Sequence, residues 1–123
     1  MYRTFSFSKT KKNRLNSVAK RTEFAGRKYD SKFEAKYAAN LEWRRQAGEI
    51  TEIKPQHQID IKINGKHWRN YRIDFRIVLK DGTIQYVECK GFATQEWKMK
   101  WDALHLLKDE LLEPGAELIL ITK

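Results

Sequence analysis

Apolar residues occupy every second position from Ile73 to Leu79, with Arg72, Asp74, Arg76 and Val78 alternating against them. A repeat of two is the signature of a half-buried β-strand. Val87 and Cys89 continue the apolar face on a second strand, and Asp81-Gly82 between them is a turn signal. Upstream, Ile50-Thr51-Glu52-Ile53 and Gln56 to Ile63 are strand-like, with Pro55 breaking them, and Asn64-Gly65-Lys66 is a second turn signal. Residues 56–63 are therefore expected to form a hairpin with residues 68–79. Two segments show the helical repeat instead. From Asp30 to Gly48, Phe33, Tyr37, Leu41 and Arg44 share one face, and Gly48 is a natural C-terminal stop. From Thr94 to Leu112 the stripe is Trp97, Trp101, Leu104, Leu107 and Leu111. Thr94 suits the N-cap and Glu96 the first turn, while Glu113-Pro114-Gly115 ends the helix. Glu117 to Thr122 reads as a final buried strand. The order α-β-β-β-α-β predicts an α/β fold, a mixed β-sheet flanked by helices, over residues 29–123.

The register of the hairpin decides where its charges fall, because a slip of one residue sends every side chain to the other face. A two-residue loop pairs Asp74 with Cys89 and separates Asp74 from Glu88. A three-residue loop, Lys80-Asp81-Gly82 with Gly82 left-handed, pairs Leu79 with Thr83 and Asp74 with Glu88. The second register is favoured, since it keeps Ile73, Phe75, Ile77, Val87 and Cys89 on one apolar face and collects the charges on the other. Opposed carboxylates repel. They are accommodated when a hard cation such as Mg²⁺ or Mn²⁺ sits between them, or when the face is simply a solvated one with scattered charge. A third acid, Glu34, lies one turn into the first helix, where Ser31-x-x-Glu34 also fits a capping box.

Charge adds a polyanionic partner to this picture. The chain has 123 residues, enough for one domain, and a net charge of +9. Residues 1–28 hold Arg3, Lys9, Lys11, Lys12, Arg14, Lys20, Arg21, Arg27 and Lys28 against a single acid, Glu23. The remainder is close to balance. A flexible basic arm of this kind binds phosphates by counterion release; the same charge also serves solubility. Phe5-Ser6-Phe7 within it suggests a short strand that pairs with a partner chain or swaps in a dimer, or aromatics that stack on bases. The single cysteine, Cys89, excludes internal disulfides, and His57, His67 and His105 lack zinc-finger spacing. No segment is apolar enough to span a membrane or act as a signal peptide. The expected setting is cytoplasmic.

A helix bearing Glu34, a strand bearing Tyr71-x-x-Asp74-Phe75, a strand ending Val87-Glu88-Cys89-Lys90-Gly91, and then a helix with Lys and Trp together resemble the PD-(D/E)XK nuclease superfamily. The similarity is to small phage endonuclease-like proteins related to Holliday junction resolvases, and it covers residues 27–123. Ile73-Asp74 stands where the name-giving motif has Pro-Asp. The resemblance implies a restriction-endonuclease-like core. It implies that Glu34, Asp74, Glu88 and the backbone carbonyl of Cys89 hold Mg²⁺, with Mn²⁺ able to substitute, and that Lys90 orients the attacking water or offsets phosphate charge. It implies a Mg²⁺-dependent, structure-selective DNA endonuclease, in the most specific form a phage Holliday junction resolvase working as a homodimer in a bacterial cytoplasm. It calls for no small-molecule cofactor and no membrane. Lys98 and Lys100 on the second helix are candidate DNA contacts, Lys98 preferred. A nicking or mismatch-directed enzyme with the same site, or a basic nucleic-acid-binding protein without catalysis, are the alternatives.

Overall fold

A tight turn at Lys80–Gly82 sets the frame of the molecule. Gly82 has φ +91°, and Leu79 N–H donates to Thr83 O at 2.8 Å. The strands on either side pair as Phe75↔Val87, Arg76↔Tyr86, Ile77↔Gln85 and Val78↔Ile84. This is the register of the three-residue loop, with a left-handed glycine where only a residue without Cβ sits at little cost.

The computed structural model describes residues 31–122 throughout and, before them, the backbone of residues 3–6, 23–24 and 27–28. Lys9, Lys11, Lys12, Arg14, Lys20 and Arg21 lie outside the described residues, as do the side chains of Arg27 and Lys28. In chain order the elements are β1 (Arg3–Ser6), β2 (Glu23–Phe24), β3 (Arg27–Lys28), α1 (Lys32–Gln46), β4 (Ile50–Ile63), β5 (Lys66–Leu79), β6 (Ile84–Lys90), α2 (Gln95–Leu106), α3 (Lys108–Leu111) and β7 (Glu117–Thr122). Four strands run β7-β6-β5-β4, antiparallel except for the parallel β6–β7 pair, and β1 adds in parallel to β7. The expected α/β class and the order α-β-β-β-α-β hold for residues 31–122. The short aromatic strand pairs within the chain, Phe5 opposite Ile121.

Two cores lie on the two faces of the sheet. On one, Phe33, Tyr37 and Leu41 of α1 pack on Phe75, Ile77, Val87 and Ile121. On the other, Trp101 and Leu104 of α2 pack on Ile59, Ile61, Tyr71, Ile73 and Leu118. Fully burying a side chain such as Phe75 or Leu104 contributes about 1.5–3 kcal/mol. Both helices start where the sequence placed caps. Ser31 Oγ accepts from Glu34 N–H at 3.0 Å and Thr94 Oγ1 from Trp97 N–H at 3.1 Å. α1 ends in a left-handed Gly48, with Glu49 N–H donating to Arg44 O and Gly48 N–H to Arg45 O, both at 3.0 Å. The second helical segment is not continuous as expected; Leu107 interrupts it with φ −103° and ψ 16°.

Two further expectations need correction. Pro55 does not divide β4, which runs unbroken for 14 residues. As the edge strand β4 tolerates a residue without an N–H, and the irregularity appears instead at Gln56, whose φ is +55°. Second, Ile73 does not share a face with Phe75 and Ile77. It joins Tyr71 in the opposite core. The apolar face of β5 therefore changes sides across Asp74, which lies between the pairs Pro55↔Phe75 and His57↔Ile73, as Gln56 does on β4.

Candidate functional site

That change of side is also where β5 and β6 part. Hydrogen-bonded positions in an antiparallel pair recur every second residue. Counting from the Leu79–Thr83 bond, they fall at Ile77–Gln85 and Phe75–Val87, and the next would be Ile73–Cys89. The paired register instead stops at Phe75↔Val87. Cys89 N–H donates to the Asp74 carboxylate, Oδ2, at 2.8 Å. The carbonyl and N–H of one residue in a strand leave on the same side, so the Cys89 carbonyl is directed toward the same gap. β5 then continues with β4 alone and follows α2.

The gap opens into a cavity of about 450 Å³. Glu34 reaches it from the first turn of α1, Asp74 from β5, and Glu88, Cys89 and Lys90 from β6. The four side chains expected to share a site, separated by up to 56 residues of chain, thus line one pocket. Glu34 and Glu88 are 3% and 4% exposed, the two charged residues in the core. Buried carboxylates are costly unless partnered. The Glu34 carboxylate accepts from the Gln56 amide, made possible by the left-handed backbone at Gln56. Glu88 Oε2 stands 3.6 Å from Lys90 Nζ, and the nearby Tyr71 hydroxyl also favours its charged form. Glu88 Oε1 is buried with no hydrogen-bond partner.

Burial is the main cause, and the neighbouring Asp74 charge the second, that pushes the Glu88 carboxyl up to about 8. Lys90 acts in the opposite direction and does not offset them. Lys90 itself is held over the Trp97 ring, 4.9 Å from its centroid. Trp97 stacks on Trp101 and donates its Nε1–H to Tyr71 Oη at 3.0 Å. Burial raises Tyr71, so it remains a neutral phenol. The Cys89 thiol is likewise pushed well up by burial and then by Asp74, which keeps it protonated and unsuited to nucleophilic attack.

The donor set fits a hard divalent cation. It is all oxygen, drawn from two splayed strands and a helix start, with an orphaned carboxylate oxygen inside. Among the described residues, no three His, Cys, Asp or Glu side chains already stand as a closed ligand cage.

The two lysines on α2, both expected as DNA contacts with Lys98 preferred, stand differently toward the cavity. Lys100 lines the cavity and approaches Glu96 at 3.7 Å. Lys98, the preferred contact, is not in the lining and pairs with Asp102 at 3.5 Å on the outer surface. At 100° per residue, Lys100 sits 60° from Trp97 on the cavity side, whereas Lys98 is turned 100° the other way. Gln56, Tyr71 and Arg72 were not singled out from the sequence as site residues. Gln56 left a local sign in the proline before it in an otherwise alternating strand, and Tyr71 stood in the motif Tyr71-x-x-Asp74-Phe75 without a role of its own. Gln58 and Asp60, on the same strand, are exposed away from the carboxylates, and Asp60 pairs with His67 at 2.5 Å.

A family model described as "Protein of unknown function (DUF1064)" matches residues 14–111. The chain belongs to this family. No curated protein matches the chain. The DUF1064 match contains Glu34, Gln56, Asp74, Glu88, Lys90 and Lys100, and it ends before β7.

Proposed function

We propose that this chain is a Mg²⁺-dependent DNA endonuclease of the PD-(D/E)XK type, and that its core is the restriction-endonuclease-like one. The observation that carries the reading is the entry of Glu34, Asp74, Glu88 and Lys90 into one pocket at the point where β5 leaves β6. Glu34, Asp74, Glu88 and the Cys89 carbonyl would hold Mg²⁺, for which Mn²⁺ can substitute. Bound there, the ion would lower the pKa of a water and neutralise charge on phosphate oxygens. Asp74 is oriented for this by the Cys89 amide and Glu34 by Gln56. The Trp97 ring fixes Lys90 beside Glu88, so that its ammonium adds positive charge where the phosphorane develops it. Lys100 at the rim suits a neighbouring phosphate, and Phe92, 81% exposed at the same rim, suits a base.

The preferred substrate is branched DNA, as for a phage Holliday junction resolvase, acting as a homodimer in a bacterial cytoplasm. A two-fold junction is matched by a two-fold dimer. Among the described residues no helix is long and apolar enough to cross a membrane. The test is incubation of the pure protein with a four-way junction, a flap, a linear duplex and single strands, in Mg²⁺, Mn²⁺ or EDTA. Paired nicks in the junction with metal only, lost in Asp74→Asn and Glu88→Gln while DNA binding persists, are expected. Cutting of linear duplex alone would favour the nicking alternative. Cutting that survives both substitutions would remove the site from the reaction.

A further inference from the structure

Beyond the point where β5 leaves β6, residues 58–72 form a two-stranded ribbon with α-helices on one side only. Ile59, Ile61 and Tyr71 pack toward Trp101, Leu104 and Leu112. The opposite face carries the cross-strand pairs Gln58–Arg72 and Asp60–Asn70, and then Lys62–His67 after a bulge. All six of these side chains are exposed. The ribbon holds Lys62, Lys66, Arg69 and Arg72 against one acid, Asp60, and that acid is bound to His67 at 2.5 Å. Lys62 and Arg72 stand on the polar face, whereas Arg69 and Lys66 pair with Ile61 and Ile63 and are exposed on the other side toward the tip. The surplus is local, because residues 29–123 as a whole carry nearly equal numbers of basic and acidic side chains. Arg72 is at once a ribbon residue and part of the cavity lining, so the polar face runs on from the site without interruption.

From this continuity we infer that the ribbon is a second DNA-contacting element, and that it lies along the duplex flanking the scissile phosphate. The inference rests on the nuclease reading of the neighbouring pocket. The face displays the amides of Gln58 and Asn70 and the cations of Lys62 and Arg72, with its one acid, Asp60, held by His67, and the exposed Lys66 and Arg69 add charge at the tip; amides and cations are the groups that bond to phosphates and base edges. Its length from Arg72 to Lys66 is about 20 Å, the span of about six base pairs. The turn at Asn64-Gly65 has both faces open, and a two-stranded β-ribbon is of a width that the major groove admits.

The experiment uses the full chain and a triple variant, Lys62→Gln, Lys66→Gln and Arg69→Gln, none of which lines the cavity. A double variant without the Arg69 change guards against loss of the contact that Arg69 makes over the Trp68 ring. Fluorescence anisotropy in EDTA across a salt series measures affinity for labelled duplex, junction and single strand. The triple variant is expected to bind duplex and junction about 10–100-fold more weakly, with a salt slope shallower by about two to three. Its effect on single strands is expected to be smaller. Single-turnover cleavage at saturating protein is expected to stay within about twofold of wild type, since removing phosphate contacts lowers affinity and not the chemistry. Unchanged affinity and slope for duplex would overturn the inference, as would an equal loss on single strands. The two readings fail separately. A wild-type chain that binds duplex but never cuts with metal sinks the nuclease, whereas one that cuts normally with an unaltered slope in the variant sinks the ribbon alone.

Discussion

One hairpin behaves in two ways along its length. From Leu79 to Phe75 it follows the rules of sheet pairing: the register is regular, the alternation is kept, and Phe75, Ile77 and Val87 are fully buried. From Asp74 onward the same two strands separate, the apolar face of β5 crosses to the other core, and a backbone amide is satisfied by a carboxylate in place of a carbonyl. The regular half is an ordinary contributor to stability. The irregular half gathers buried acids that burial alone would disfavour, which is the usual sign of a site whose groups are kept for chemistry.

The contrast can be broken at several points. In the regular half, Phe75→Ala should cost about 3–5 kcal/mol of stability, read from urea unfolding, because the helix-covered core cannot collapse into the space left. In the irregular half the expected sign is reversed. Glu88 holds its proton up to about 8 when folded and only to the ordinary 4.5 when unfolded. The folded chain therefore carries the extra proton between those values, and stability should fall as pH rises through them. Thermal melts in EDTA at pH 5 and pH 8 measure the fall. Glu88→Gln should flatten it, and Mg²⁺ at pH 8 should recover it. A wild-type profile that rises from pH 5 to pH 8 would count against the buried, crowded carboxylate.

Smaller effects sharpen the boundary. Gln56→Ala removes the amide that orients Glu34 and should weaken divalent-ion affinity about 10–100-fold with little change in folding. A loss of stability without a loss of affinity would make Gln56 a structural residue only. Gly82→Ala places a side chain at φ +91° and should cost about 1–2 kcal/mol. Its effect should be confined to stability, since the turn lies at the end of the hairpin remote from Asp74.

Much of the regular half was legible in the residue pattern. Gly82 and the alternation on either side determine one register, and Ser31, Gly48 and Thr94 mark the helix ends by local hydrogen bonding. Such signals are short in range and need no knowledge of the rest of the chain. The crossing of faces at Asp74 was not legible. Ile73 and Phe75 look equivalent in an alternating string, and their separation depends on which helix covers each end of β5. The role of Gln56 depends on a left-handed backbone that no glycine announces. The difference between Lys98 and Lys100 follows from the helix angle relative to Trp97, which could have been read once Trp97 was known to face the cavity. The facing of Asp74 and Glu88 followed from the hairpin register; the place of Glu34 beside them followed only from the resemblance to a nuclease pattern, and what the fold adds is their common pocket.

The proposed reading requires Glu34, Asp74 and Glu88 together to hold a divalent cation. Titration of the metal-free protein with Mn²⁺, followed by electron paramagnetic resonance of the free ion, tests it most directly. Saturable uptake by the wild-type chain, competed by Mg²⁺ and lost in both Asp74→Asn and Glu88→Gln, is expected. Uptake by those two variants equal to that of the wild type would contradict it.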